Sequence, residues 1–220
     1  MDLKTATPLF ITFEGGEGVG KSTQVRLFRD FIQKAGAEVV MTREPGGCEN
    51  ALTLRKLLVE GEADQWDGMS ESLMYSAARN EHLREVIRPE LKNGRWIVCD
   101  RFADSMHVYQ GEGRGMNYDF LHYVSDAVVG KTWPDLTIIL DLPVETGLYR
   151  ARGRQVNMFE NRFESIEDSF HQRVRQGFLK IAEDNPQRCR VVSADGEIDE
   201  VHQRVKDVFK TFYQQQKASA

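Results

Sequence analysis

The chain has 220 residues, 40% hydrophobic and 29% charged, with a formal net charge of −5. This size and composition suit a single globular domain with a real core, and the acidic balance argues against a general nucleic-acid binder. Three cysteines (Cys48, Cys99 and Cys189) with no CxxC pair argue against a disulfide framework or zinc site and fit a reducing cytoplasm. The opening MDLKTATPLF has no long apolar run, so no signal peptide is expected, and nothing approaches the roughly 20 apolar residues that span a bilayer.

The first predicted strand is LFITF (9–13), followed at once by EGGEGVGKST (14–23). Beyond Lys21, Val25, Phe28 and Ile32 fall on one helical stripe, which Gly36 can end. EVVMT (38–42) reads as a second strand. Residues 73–94 read as a helical region punctuated by Pro89 and Gly94. WIVCD (96–100), LTIILDL (136–142) and RVVSA (190–194) complete a set of five short β-branched runs. A terminal helix is expected from Glu197 to about Tyr213, while residues 1–8 and 217–220 read as loose ends. Strands alternating with helices imply right-handed β–α–β units, and continuous apolar strands imply a parallel sheet covered on both faces. Ligands gather at the carboxyl ends of such strands, so the residues following each strand matter most.

The opening glycine-rich stretch has the form G-x-x-x-x-G-K-[ST], bracketed by Gly15 and Gly20 and followed by Lys21 and Ser22. It lies between a predicted strand and a predicted helix, the context this motif requires. Glycines let successive N–H groups turn inward toward phosphate oxygens, and the helix that follows adds its unpaired donors and positive end. The expected phosphate cradle is Gly15, Gly16, Glu17, Gly18, Val19 and Gly20 with Lys21, Ser22 and Thr23. Lys21 brings charge to the terminal phosphates, and the Ser22 hydroxyl is a candidate Mg²⁺ ligand. No N/T-K-x-D motif appears, and no D-x-x-G follows a predicted strand, which argues against a GTPase switch. Arginines recur after the second strand (Arg43), in the helical region (Arg79), after the third strand (Arg101) and after the fourth (Arg150, Arg152 and Arg154). Each alone reads as a solvated charge; together they suit a clamp on a transferring phosphoryl group.

FEGGEGVGKST, TREPGG, YSAAR, CDRFADSMHVYQGEGRG and NRFE occur in the order and near the spacing of bacterial-type thymidylate kinases, and the chain resembles that family over nearly its whole length. The resemblance implies one domain over residues 1–220, a three-layer α/β/α P-loop kinase fold with a five-stranded parallel sheet, and a short mobile lid over about 150–163. It implies transfer of the γ-phosphoryl of ATP to dTMP with Mg²⁺, on the route to dTTP, in a cytoplasmic homodimer whose partners are nucleotides rather than nucleic acid or membrane. By position, Glu17 would lie near the acceptor sugar and phosphate, and Arg43 at the monophosphate, with Pro45 shaping its turn. Tyr75 would stack on thymine and Arg79 would hydrogen-bond it. Asp100 would sit near Mg²⁺ and Arg101 at the acceptor phosphate, with Ser105 nearby. Tyr109 would crowd the sugar, and Gln110 would sit beside the base. Because the glycine loop contains no arginine, the catalytic cations would be Lys21, Arg101 and the lid residues Arg150, Arg152 and Arg154, with Glu17 among the reacting groups.

Three positions depart from the family pattern: Met106 replaces a small polar residue near the base, Cys48 replaces a threonine, and Asn161 replaces an aspartate. Plainer readings exist for other positions: Tyr75 as a core aromatic, Cys99 as a buried filler, and Glu164, Glu167 and Asp168 as a solvated helix face. GEGRG (111–115) neither follows a strand nor opens a helix, so it is set aside, and the five histidines form no metal-spaced cluster. Two other functions stay open: a kinase for another monophosphate such as dUMP, dCMP or AMP, and a P-loop nucleotide sensor that transfers nothing.

Overall fold

The computed structural model describes residues 1–61, 65–153 and 167–219. Five strands, β1 (Phe10–Glu14), β2 (Val39–Arg43), β3 (Trp96–Asp100), β4 (Leu136–Asp141) and β5 (Cys189–Ser193), form one sheet in the order β2-β3-β1-β4-β5. Every pairing is parallel, with Phe13 opposite Asp100 on one side and Ile138 on the other. The central strands β1, β3 and β4 are almost wholly buried, as their continuous apolar character predicts. The edge strands differ: Met41 of β2 and Val191 of β5 are exposed, because an edge strand lacks a neighbour on one flank.

Helix α1 (Lys21–Lys34) leaves the glycine loop and α9 (Ile198–Ser219) returns beside it, covering one face of the sheet. Phe28 of α1 meets Phe209 of α9 edge to face, with ring centroids 5.2 Å apart, over Phe13 and Val98. The other face carries α2 (Glu49–Val59), α3 (Gly68–His82), α4 (Arg88–Lys92), α5 (Ala103–Met106), α6 (Tyr118–Val129) and α8 (Asp168–Asp184). There Leu83, Ile87, Phe102 and Val129 pack on Phe10 and Ile97, while Phe170, Val174 and Phe178 pack on Ile139. Helix α7 (Val144–Arg152) crosses the carboxyl end of β4.

Several boundaries moved. The helical region begins at Gly68, capped by Asp67, whose carboxylate accepts the Ser70 N–H at 2.6 Å. Before Pro89 the chain widens into a π turn, Leu83–Ile87, which accommodates a ring that cannot donate to the helix ladder. A second π segment, His107–Gly113, contains most of GEGRG. The N-terminus is not wholly loose. Leu3 is buried in the α1–α9 core, and its N–H donates to Ala35 O at 2.7 Å. Residues 217–219 continue α9 rather than fraying.

Candidate active site

Strand parity decides what meets at the sheet's carboxyl edge. Asp100 shares the α1 face with Trp96 and Val98, so it meets the first turn of α1. Ser22 Oγ donates to Asp100 Oδ2 at 2.6 Å across 78 residues of sequence. This hard-oxygen pair suits Mg²⁺, which keeps waters and takes phosphate oxygens for its remaining ligands. Among the described residues, no group of three or more His, Cys, Asp or Glu side chains converges on a metal.

The loop itself is anchored by Val19, buried in the α1 core, and Gly20 at the start of α1 offers no side chain to cap the helix amides. Gly18 has φ +69°, and its backbone lies directly against Gly147 of α7, leaving no room for a side chain. Lys21 folds over the loop, donating to Gly15 O at 3.0 Å and Gly16 O at 2.6 Å. Burial and the Arg101 guanidinium push its ammonium down to about 8 against the pull of Glu17 and Asp100.

Across the loop, Arg101 Nη2 donates to Glu17 Oε1 at 2.9 Å and to Tyr109 Oη at 2.9 Å, and Tyr109 donates to the same Glu17 oxygen at 2.7 Å. Burial would raise the Glu17 carboxyl, but Arg101 and Lys21 overcome it and hold it at about 2. Arg101 Nη1 donates to Ser105 Oγ at 3.1 Å, so Glu17, Arg101, Ser105 and Tyr109 form one connected group.

That group lines a cleft of about 310 Å³, the size range of small-molecule sites. One end holds Lys21, Ser22 and Asp100; the other holds Tyr75, Arg79, Met106 and Gln110, with Arg43 and Pro45 on the wall. Tyr75 is half-buried on α3, one turn before Arg79, so it faces the cleft rather than filling the core. Arg79 Nε donates to Glu44 Oε2 at 2.8 Å, Nη2 donates to Phe102 O at 3.1 Å, and Nη1 stands 3.9 Å from the Met106 sulfur. Met106 is buried in this wall and accepts only weakly. Gln110 Nε2 donates to Glu71 at 3.0 Å, while its Oε1 is buried with no hydrogen-bond partner among the described residues.

A second groove of about 960 Å³ opens on the other flank of the loop, and Gly18 and Gly20 line both. Its walls are the turn after β5, Ala194–Ile198, together with Gln24, Leu148, Arg150 and Arg152. Arg150 Nη1 donates to Ala194 O at 3.2 Å, which places this arginine at the second groove rather than in the first cleft. Arg154 and the NRFE stretch (161–164) lie outside the described residues.

Sequence reasoning missed several contributors. Arg55 of α2 reaches into the first cleft and donates to Pro45 O at 2.8 Å. Glu44 is buried between Arg79 and His82, and His82 in turn meets Thr42 Oγ1 at 2.7 Å. Glu44 lies inside TREPGG, so its motif was visible but its partners were not. Of the second groove, the glycine loop, Arg150 and Arg152 were visible in the sequence, while the turn after β5 that forms its other wall carried no motif. Cys99 is buried, its Sγ donating to Arg101 O at 3.0 Å, which fits the filler reading.

A phosphate-binding loop at the centre of a parallel sheet, with a cleft on each flank and Lys21 and Arg101 at the loop, defines a P-loop kinase. The pattern of the thymidylate kinase family matches residues 13–205. Thymidylate kinase of Caulobacter vibrioides is 49% identical over 199 residues, covering 90% of this chain and 94% of that protein. Thymidylate kinase of Magnetococcus marinus is 49% identical over 186 residues, covering 84% and 88%. The crystal structure of thymidylate kinase from Ehrlichia chaffeensis superposes with a TM-score of 0.74 at 33% identity, over 92% of this chain and 98% of that one. The chain belongs to the thymidylate kinase family and has its P-loop kinase fold.

Proposed function

We propose that the protein phosphorylates dTMP: ATP + dTMP → ADP + dTDP, with Mg²⁺. The observation that carries this reading is the continuity of the first cleft. It runs from Lys21 and the Ser22–Asp100 pair at the loop to Tyr75, Arg79 and Gln110 at its far end. A thymine ring there offers a flat face to Tyr75, carbonyl oxygens to Arg79, and an N–H to the unpartnered Gln110 Oε1. ATP would lie in the second groove with its terminal phosphates in the glycine loop. Ser22 and Asp100 would hold Mg²⁺, which would neutralise charge on the phosphates.

The acceptor phosphate oxygen is already a nucleophile, so the protein aligns and neutralises rather than forming a covalent intermediate. Lys21 releases the carbonyls of Gly15 and Gly16 and takes phosphate oxygens instead. Arg101 stands between loop and cleft, within reach of the group in transfer. Glu17 and Tyr109 hold it there, and Tyr109 crowds the sugar. Arg43 contributes at the monophosphate, and Arg150, Arg152 and Arg154 at the donor side. A lid over about 150–163, of which residues 154–163 lie outside the described residues, would exclude water as a competing acceptor.

In the same proposal, residues 1–220 form one domain, working in the cytoplasm as a homodimer. Exposed Met69 and Leu73 on α3 and Tyr123 on the adjoining α6 are apolar surface suited to a second copy. No described helix is long and apolar enough to cross a membrane.

The test is an ADP-release assay with Mg²⁺–ATP and a panel of dTMP, dUMP, UMP, dCMP, CMP, AMP and GMP. dTMP should be turned over best, and Lys21→Ala and Arg101→Ala should each lower turnover by about 10²-fold or more while remaining folded. Preference for another monophosphate refutes the base-site assignment. ATP binding without transfer refutes the kinase reading.

A further inference from the structure

Glu14, the last residue of β1, stands directly before the glycine loop, and its side chain is fully buried. It follows Phe10 and Thr12 on the face away from α1 and so faces the turn that leaves β3. Both of its oxygens accept from that turn: Phe102 N–H donates to Oε1 at 2.7 Å, and Ser105 Oγ donates to Oε2 at 2.6 Å. The residue just before these donors is Arg101, whose φ of +69° makes it the sole non-glycine with a positive φ among the described residues. A side chain enters this left-handed region against a steric cost and stays there only when its surroundings hold it. The holding contacts are explicit. Arg101 N donates to Phe13 O at 2.9 Å, Cys99 Sγ donates to Arg101 O at 3.0 Å, and Glu14 takes the next amide.

The side chain is steered by the same group. A serine hydroxyl has one proton, and Ser105 gives it to Glu14. Its oxygen is thereby presented as an acceptor to Arg101 Nη1, 3.1 Å away. We propose that Glu14 is a positioning residue of the phosphoryl transfer: its buried carboxylate holds the left-handed turn at Arg101 and, through Ser105, aims the guanidinium at the acceptor site. The proposal rests on the dTMP kinase reading and adds to it a residue that touches no substrate.

The charged groups around Glu14 supply a second readout. Burial and then the neighbouring Asp104 carboxylate raise the Glu14 carboxyl to about 7, against Arg101 and the two hydrogen bonds. Lys21 and Arg188 also face it. Protonation turns one of its oxygens into a donor, and Ser105 then loses the acceptor that fixes its own proton.

The experiment is steady-state kinetics of the wild type, Glu14→Ala and Glu14→Gln, with ATP and dTMP varied separately below and above about pH 7, alongside thermal melts. Wild-type turnover with dTMP is measured first; its absence refutes the functional reading and this proposal with it. Given turnover, Glu14→Ala should lower kcat by about 30-fold or more, since an ångström of misplacement costs about 10²-fold, while the KM for ATP stays within about twofold. Glu14→Gln, which keeps an acceptor for Phe102 N–H, should recover part of that loss. It should also lack the fall in kcat that the wild type shows as pH drops through about 7. A folded Glu14→Ala with wild-type kcat overturns the proposal, as does equal damage to the ATP and dTMP parameters. If Glu14→Ala does not fold, a Glu14→Gln pH profile identical to the wild type overturns it.

Discussion

Gly147 lies in α7, 127 residues beyond the last glycine of the loop, yet α7 crosses so closely that its backbone touches the loop. A β-carbon placed on Gly147 would stand 2.5 Å from Glu17 O, a backbone atom that no side-chain rotation can move. Restoring an ordinary contact requires the loop or α7 to shift by about 1 Å. Gly147→Ala therefore sets two effects against each other. Alanine favours the helix by about 1 kcal/mol, while overpacking costs about 1–3 kcal/mol, so the variant should fold with stability within about 2 kcal/mol of wild type. The displacement falls on the phosphate cradle itself. With about 10²-fold lost per ångström, kcat should drop roughly 10- to 100-fold. Saturating ATP and dTMP in the ADP-release assay, with a thermal melt on the same sample, reads both quantities. A kcat within twofold of wild type would show that the loop tolerates the shift and refute the reasoning.

Two further predictions concern buried charge. Arg188 donates to both oxygens of Asp104, at 2.7 and 2.8 Å, and covers the Trp133 ring; Arg188→Ala should cost about 3 kcal/mol in urea unfolding by stranding a buried carboxylate, and a loss under about 1 kcal/mol would contradict this. Glu17, held at about 2 against an ordinary 4.5, binds fewer protons folded than unfolded, so its contribution is present above pH 4.5 and is lost as pH falls toward 2. Glu17→Gln should accordingly cost up to about 3 kcal/mol at neutral pH, with the difference from wild type shrinking across that window; a pH-independent difference would refute the assignment.

What could be read in advance was local. The five strands appear as short β-branched runs because burial on both faces of a sheet demands them, and each lies within a residue or so of its prediction. The glycine loop is legible because phosphate binding by backbone amides needs particular residues at consecutive positions. The base-end residues Tyr75 and Arg79 were placed by family resemblance, and the structure brings both to the same cleft as Lys21. The loose N-terminus was misjudged because the partner that buries Leu3, the end of α1, is set by packing rather than by neighbouring residues.

The sequence by itself determined the class of sheet, the place of the phosphate cradle directly after the first strand, and the order of the strand-end motifs, because helix and strand periods and glycine turns are properties of a few adjacent residues. The tertiary structure alone decided which groups answer one another. Glu14 meets Ser105 across 91 residues, Arg188 meets Asp104 across 84, and Gly147 meets Glu17 through bare backbone. It also decided that Arg150 stands at the second groove and that Arg79 is braced by Glu44. Such pairs leave no periodic trace. Their partners are chosen by strand order and parity, which bring distant residues to one edge of the sheet only when the whole chain has folded.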